Sequence, residues 1–191
     1  MDSAKTRLDS TQQRALLQLA RDAIAAYLAG LPNPATDGPE LHLAHAGAFV
    51  SLHLGEQLRG CIGYVDDSRP LPEALAETAI AAASRDPRFV PLTREELEQV
   101  NIEISILSPL HLAAAPAEII PGRHGVMIKL GGHSGLLLPQ VARRRHWDAE
   151  FFLEQVCQKA DLPAAAWKDP KAAIYIFTAD VFSENQFHAK S

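Results

Sequence analysis

The sequence predicts a fold that mixes helices with antiparallel hairpins, and three observations predict it. Residues 49–65 form two runs rich in β-branched, aromatic and aliphatic residues, separated by Gly55-Glu56. A glycine in the first central position suits a two-residue type II′ turn. Residues 126–138 repeat the arrangement around Gly131-Gly132-His133-Ser134, read as a four-residue punctuation between strands 126–130 and 135–138. Other stretches carry apolar residues at helical spacing, and Ser10-Thr11-Gln12-Gln13 and Thr93-Arg94-Glu95-Glu96 have the form of capping boxes.

The remaining elements follow in order. Leu17, Ala20, Ile24, Tyr27 and Leu28 recur on one helical face, and Gly30 closes that helix. Three prolines with Asn33, Asp37 and Gly38 make 31–40 a loop, and His42 and His45 lead from it toward the first hairpin. Residues 66–70 form a second loop, where Asp66 and Asp67 suit a solvated turn better than a cation site. Pro72 and Glu73 suit the first turn of a helix reaching about Arg85, ended by Asp86-Pro87. A short helix runs from Thr93 to Val100. Residues 101–107 alternate as a strand, with Ile102, Ile104 and Ile106 on one face and Glu103, Ser105 and Leu107 on the other. Residues 109–121 are a connection rich in alanine and proline. Arg143-Arg144-Arg145-His146, the one basic cluster, reads as a solvated helical end. Asp148 caps a helix through Lys159 with Cys157 near its packed side, and Trp147 and Trp167 flank it as core residues. A last strand at 173–177 is followed by Val181-Phe182 and a polar tail, 184–191.

Composition narrows the function classes. The 191 residues suit one domain, and 47% hydrophobic residues allow a substantial core. A net charge of -5 argues against a nucleic-acid protein. Two cysteines are too few for a disulfide framework, a Cys-based zinc site or a radical-forming iron–sulfur cluster, so no cofactor is expected. No apolar run approaches the ~20 residues of a membrane span, and a reducing cytoplasm is the expected location. Zinc-protease, dinucleotide, phosphate-loop and serine-elbow motifs are missing from the sequence.

The stretch with most chemistry is Leu58-Arg59-Gly60-Cys61-Ile62-Gly63. The Gly55-Glu56 turn sets a register in which Leu54 pairs with Gln57, His53 with Leu58, Leu52 with Arg59 and Val50 with Cys61. Alternation then places Arg59, Cys61, Gly63 and Val65 on one face, with Arg59 and Cys61 about 7 Å apart. A guanidinium so placed favours a thiolate. The same face carries Ala48, Val50, Leu52 and Leu54, so a packed, inert Cys61 is the competing reading. Gly60 and Gly63 remove side chains where a ligand or another backbone can approach. Arg88 reaches an anion or else holds carbonyls or Asp86. Glu103 serves as a base, meets Arg59, forms a structural ion pair, or lies on a wet sheet face.

The hexapeptide resembles the signature of the AMMECR family, also called AmmeMemoRadiSam system protein A. Gly47-Ala48-Phe49-Val50, Asp86-Pro87-Arg88-Phe89-Val90-Pro91-Leu92, Ile102-Glu103-Ile104-Ser105-Ile106-Leu107-Ser108-Pro109, His124-Gly125 and Gly135-Leu136-Leu137-Leu138-Pro139-Gln140 follow the family pattern in order. So do Trp147, Phe152-Leu153 and Lys159-Ala160. Thr78 and Asp161 depart from it, standing where the family often has Asn and Gly. The resemblance implies an α+β fold, mainly antiparallel sheet flanked by helices, in two unequal lobes with the hexapeptide near the cleft between them. On this reading 1–191 is one AMMECR-type domain, with the smaller lobe within 110–147. It also implies company: a Memo-like protein and a radical S-adenosylmethionine protein. It implies no reaction.

Two functions compete. One is a cleft enzyme acting on an unknown small molecule or protein, with Cys61 as the reactive thiol, Arg59 its electrostatic partner and Glu103 or His124 the proton carrier. The other is a substrate-binding or adaptor subunit in which Leu58, Gly60, Ile62, Gly63 and Arg88 shape a pocket or docking surface. Nucleic-acid binding rests on one short arginine cluster and is the weakest class.

Overall fold

Most of the helices and strands form by the local signals just named, and they divide between two units. The computed structural model describes residues 8–41, 45–65 and 68–188. His42 and the Asp66-Asp67 pair lie outside the described residues. The first unit comprises the chain up to Leu107 together with the segment from Asp180 on, and the second is Ser108–Ala179. Both carry antiparallel sheets and helices, the α+β class expected.

In the first unit, α1 (Ser10–Ala29), β1 (Ala48–Leu54), β2 (Gln57–Tyr64), α2 (Leu71–Ser84), α3 (Arg94–Leu97) and β3 (Val100–Leu107) follow in order. The capping box of α1 lies one residue earlier than expected. The Asp9 carboxylate accepts from the Thr11 and Gln12 N–H groups at 2.8 Å, and the Gln12 side chain accepts from the Asp9 N–H. A carboxylate caps as well as a hydroxyl and also meets the positive end of the helix dipole. The strands order β2-β1-β3-β8, where β8 (Ala179–Ser183) comes from the end of the chain. Val50 and Leu52 of β1, Ile102 and Ile104 of β3 and Phe182 of β8 bury against Leu16, Leu17, Ala20 and Ile24 of α1 and Leu75, Ala79 and Ala82 of α2.

The stretch expected as a polar tail is part of this unit. β8 closes the sheet, and Glu184 is buried. Its carboxylate takes a two-pronged contact from Arg21 and accepts the Ile102 N–H at 2.8 Å. Arg21 also donates to the carbonyls of Leu97 and Val100, so one guanidinium ties α1, α3, β3 and the chain end together. A short helix, α6 (Asn185–His188), follows.

The second unit holds β4 (His111–Leu112), β5 (Gly125–Leu130), β6 (His133–Leu137), α4 (Pro139–Arg145), α5 (Ala149–Lys159) and β7 (Ala173–Phe177), in sheet order β4-β7-β5-β6. The connection 109–121 is therefore not structureless: it supplies β4 and a 3-10 turn at Pro116–Glu118. The β5–β6 turn is two residues long, not four. Gly131 and Gly132 both have positive φ, 57° and 88°, and Leu130 already pairs with His133. Two successive left-handed residues make the type I′ turn that matches strand twist. Asp148 caps α5 by accepting from Phe151, and Phe152, Leu153, Val156 and Cys157 pack on Val126, Ile128 and Ile174. This unit takes in more chain than 110–147, because β7 sits between β4 and β5 and the packing helix comes after residue 147.

Candidate functional site

The hexapeptide lies on β2, the edge strand of the first sheet, and its register is set by a bulge. Leu54 pairs with Gln57 and His53 with Leu58, as the turn predicts. The register then shifts: Leu52 faces Gly60, Ser51 faces Cys61, Val50 faces Ile62 and Phe49 faces Gly63. Arg59 is the extra residue. This corrects the expected Leu52–Arg59 and Val50–Cys61 pairs, and it moves Cys61 off the core face onto the face of Ser51. The physical reason is the neighbour of Gly60. A Cβ there would collide with the Ala82 carbonyl of α2, so the residue under the helix backbone must be glycine. Ile62 packs against the core from the next inward position, and Gly63 leaves room for the Phe49 ring.

Arg59 does not serve Cys61. Its guanidinium grips Glu96 through two bonds of 2.9 Å and donates to the Val90 and Pro91 carbonyls. Glu96 is also the capping-box residue of α3, accepting the Thr93 N–H at 3.0 Å. Arg59 holds the Glu96 carboxyl below the usual carboxylate range. A second ion pair fastens the same segments. Asp86 is buried, and its carboxylate accepts the Cys61 N–H at 2.8 Å while Arg88 pairs with it at 2.6 Å. Arg88 also donates to the Cys61 carbonyl at 3.3 Å. Asp86 and Arg88 thus satisfy the N–H and C=O that an edge strand leaves open, standing in for a neighbouring strand. The Arg88 guanidinium, with the Cys61 and Arg88 N–H groups, holds the Asp86 carboxyl down at about 2.

The Cys61 thiol is pushed up from its ordinary value, chiefly by burial. A hydrogen bond from the Ser51 hydroxyl to Sγ, at 3.2 Å, and the Arg88 charge oppose that shift, while Asp86 and Glu103 add to it. Of the two alternatives for Cys61, these surroundings favour a half-buried neutral thiol over a thiolate beside Arg59. Glu103 pairs with Ser51 across β1–β3, so Cys61, Ser51 and Glu103 stand in one cross-strand row. Leu58 remains exposed. His124 belongs to the second unit. Its Nδ1 accepts the Ile120 N–H at 3.2 Å, and burial with nearby Arg123 pushes its pKa down, keeping the ring neutral.

One consequence is direct. Native Cys61 is expected to alkylate more slowly at neutral pH than an exposed cysteine. Ser51→Ala is expected to slow it further, while Arg59→Lys leaves it unchanged. Alkylation rate against pH, on a Cys157→Ala background, measures this. A fast Cys61 that slows on Arg59→Lys would contradict the geometry.

Sequence reasoning named Asp86 as a partner of Arg88 but missed its bond to the Cys61 N–H, and it missed Glu96 and Ser51 as partners. A signal existed for Glu96: an arginine on a packed strand needs a carboxylate. Asp86 reads locally as a helix stop and Glu96 as a cap, and both do that work as well.

The chain matches the family model for AMMECR1 over residues 17–182. It belongs to the AMMECR1 family. A protein of Methanothermobacter thermautotrophicus is 41% identical over 186 residues, covering 93% of this chain and 97% of its own. Protein TK0174 of Thermococcus kodakarensis is 42% identical, covering 88% of each. The crystal structure of the uncharacterized protein PH0010 from Pyrococcus horikoshii superposes with a TM-score of 0.88 at 38% identity, covering 93% and 94%. The AMMECR1 match includes the hexapeptide and the 86–96 segment that clasps it. Among the described residues, no helix is long and apolar enough to cross a membrane.

Proposed function

We propose that this AMMECR1-family protein is a non-enzymatic binding subunit, an adaptor or substrate holder that acts with a Memo-like protein and a radical S-adenosylmethionine protein in the cytoplasm. The observation that carries the reading is the double clasp between the hexapeptide and the 86–96 segment. Arg59, Glu96, Asp86 and Arg88 spend their charges on one another and on backbone groups. Gly60 admits the backbone of α2 and Gly63 admits the Phe49 ring. Such a network makes a rigid surface, and rigidity before contact lowers the entropic cost of binding. A thiol whose pKa is raised by burial supports the same reading.

One observation favours the enzyme reading: Cys61, Ser51 and Glu103 share a row, so a carboxylate stands two strands from the thiol. That reading assigns Cys61 the part of nucleophile and Glu103 that of proton carrier. Titration calorimetry with the Memo-like and radical S-adenosylmethionine proteins separates the two. Cys61→Ser is expected to keep wild-type affinity, whereas Arg59→Ala, which releases Val90, Pro91 and Glu96, weakens binding about tenfold. Wild-type binding by Arg59→Ala, or a turnover abolished by Cys61→Ser, would reverse the order of the two readings.

A further inference from the structure

Four of the eight lysines and arginines in the second unit gather at one place. Arg143, Arg144 and Arg145 form the last turn of α4, and Gly122 lies against the stem of Arg143, which brings Arg123 beside them. All four arginines are exposed, and among the described residues Arg123, Arg143 and Arg145 have no carboxylate partner. The patch is not purely charged. Ile120 is 47% exposed in the loop that carries Arg123. Phe151, 42% exposed, meets Trp147 edge-to-face with centroids 5.3 Å apart.

We infer that this surface docks an acidic polypeptide segment of a partner protein, carboxylates on the arginines and an apolar side chain on Ile120 and Phe151. The inference rests on the binding-subunit reading and names the face and the chemistry of one contact. Charge complementarity selects the occupant: Arg123, Arg143 and Arg145, with no carboxylate partner among the described residues, leave a positive field in a chain whose net charge is -5. Arginine with exposed aromatic and aliphatic neighbours is also the usual composition of an interface centre. The aromatic geometry disfavours a nucleic acid strand. Trp147 has Phe151 edge-to-face against it and Arg145 over its ring at 5.4 Å, so its ring is already partnered by neighbours in the chain.

The test uses the full chain with two probes, a short fluorescent glutamate-rich peptide carrying one leucine and an oligothymidylate of equal length, read by anisotropy. The peptide is expected to bind in low salt, and Arg143→Glu with Arg145→Glu to weaken it at least about tenfold. Arg143→Lys with Arg145→Lys should keep most of the affinity, because charge survives. Both positions are exposed, so thermal melting of either double variant should match wild type. No peptide binding, equal binding after charge reversal, or tighter binding of oligothymidylate overturns the inference. The Memo-like protein supplies the separation from the parent reading. If it binds wild type and the charge-reversed variant alike, this surface is wrong and the binding-subunit reading stands. If the peptide binds and neither partner protein does, the surface stands and that reading falls.

Discussion

Gly60→Ala is expected to cost about 3 kcal/mol of folding stability and Gly60→Val more, enough to unfold a substantial fraction of a marginal domain. The added Cβ would meet the carbonyl oxygen of Ala82, a backbone atom inside α2 that cannot swing aside. Relief requires α2 to lift from β2, and α2 carries Leu75, Ala79 and Ala82 into the core, so neighbouring contacts open with it. Replacing glycine inside a strand would by itself favour folding by about 0.5–1 kcal/mol, so the collision must exceed that gain. Gly63→Ala is the control. Its Cβ would meet the ring of Phe49, a half-buried side chain that can turn, so the loss should be smaller. Urea unfolding of the three variants measures the order. A Gly60→Ala protein as stable as wild type would show that β2 does not lie under α2 as described.

Asp86→Ala is expected to cost about 2–3 kcal/mol, because it strips the Cys61 N–H and the Arg88 guanidinium of their acceptor together. Arg88 is half exposed and recovers water; the Cys61 N–H at the sheet edge loses more. The pH dependence follows from the carboxyl's depressed pKa. It is about 2 in the folded chain against an ordinary 3.8. Above pH about 5 the group is ionised in both states and its contribution, about 2 kcal/mol, is complete. As pH falls the unfolded chain takes up the proton first, and the contribution vanishes as pH passes through the folded value. The stability gap between wild type and Asp86→Asn should therefore be flat above pH about 5 and shrink toward pH about 2. A gap that stays constant through that window would mean Asp86 is not ionised against Arg88.

These effects also mark how far the sequence alone reaches. Signals that act within a few residues were legible: the Gly55-Glu56 turn, the Thr93–Glu96 capping box, the Asp148 cap, the alternation of Ile102, Ile104 and Ile106, and the motifs that carry the family. Each depends on φ preferences or on side chains one turn apart, so neighbours in sequence determine it. The role of Arg59 and the environment of Cys61 did not follow from such signals. Period-2 alternation assumes an unbroken ladder, and the bulge at Arg59 breaks it because α2 presses its backbone onto one position that only glycine can occupy. The carboxylates that receive the arginines lie 37 residues from Arg59 and 163 from Arg21. Asp86 is the exception, two residues from Arg88, and that local pair was among the alternatives open in the sequence. Its bond to the Cys61 N–H, 25 residues away, was not, because an edge strand shows which backbone groups are open only once the sheet exists. The sequence by itself determined most of the elements, the caps of α3 and α5, and the family. Tertiary packing decided which side chains face each other across the hexapeptide, and of the two sequence alternatives for Cys61 it favours the packed thiol beside Ser51 over the thiolate beside Arg59.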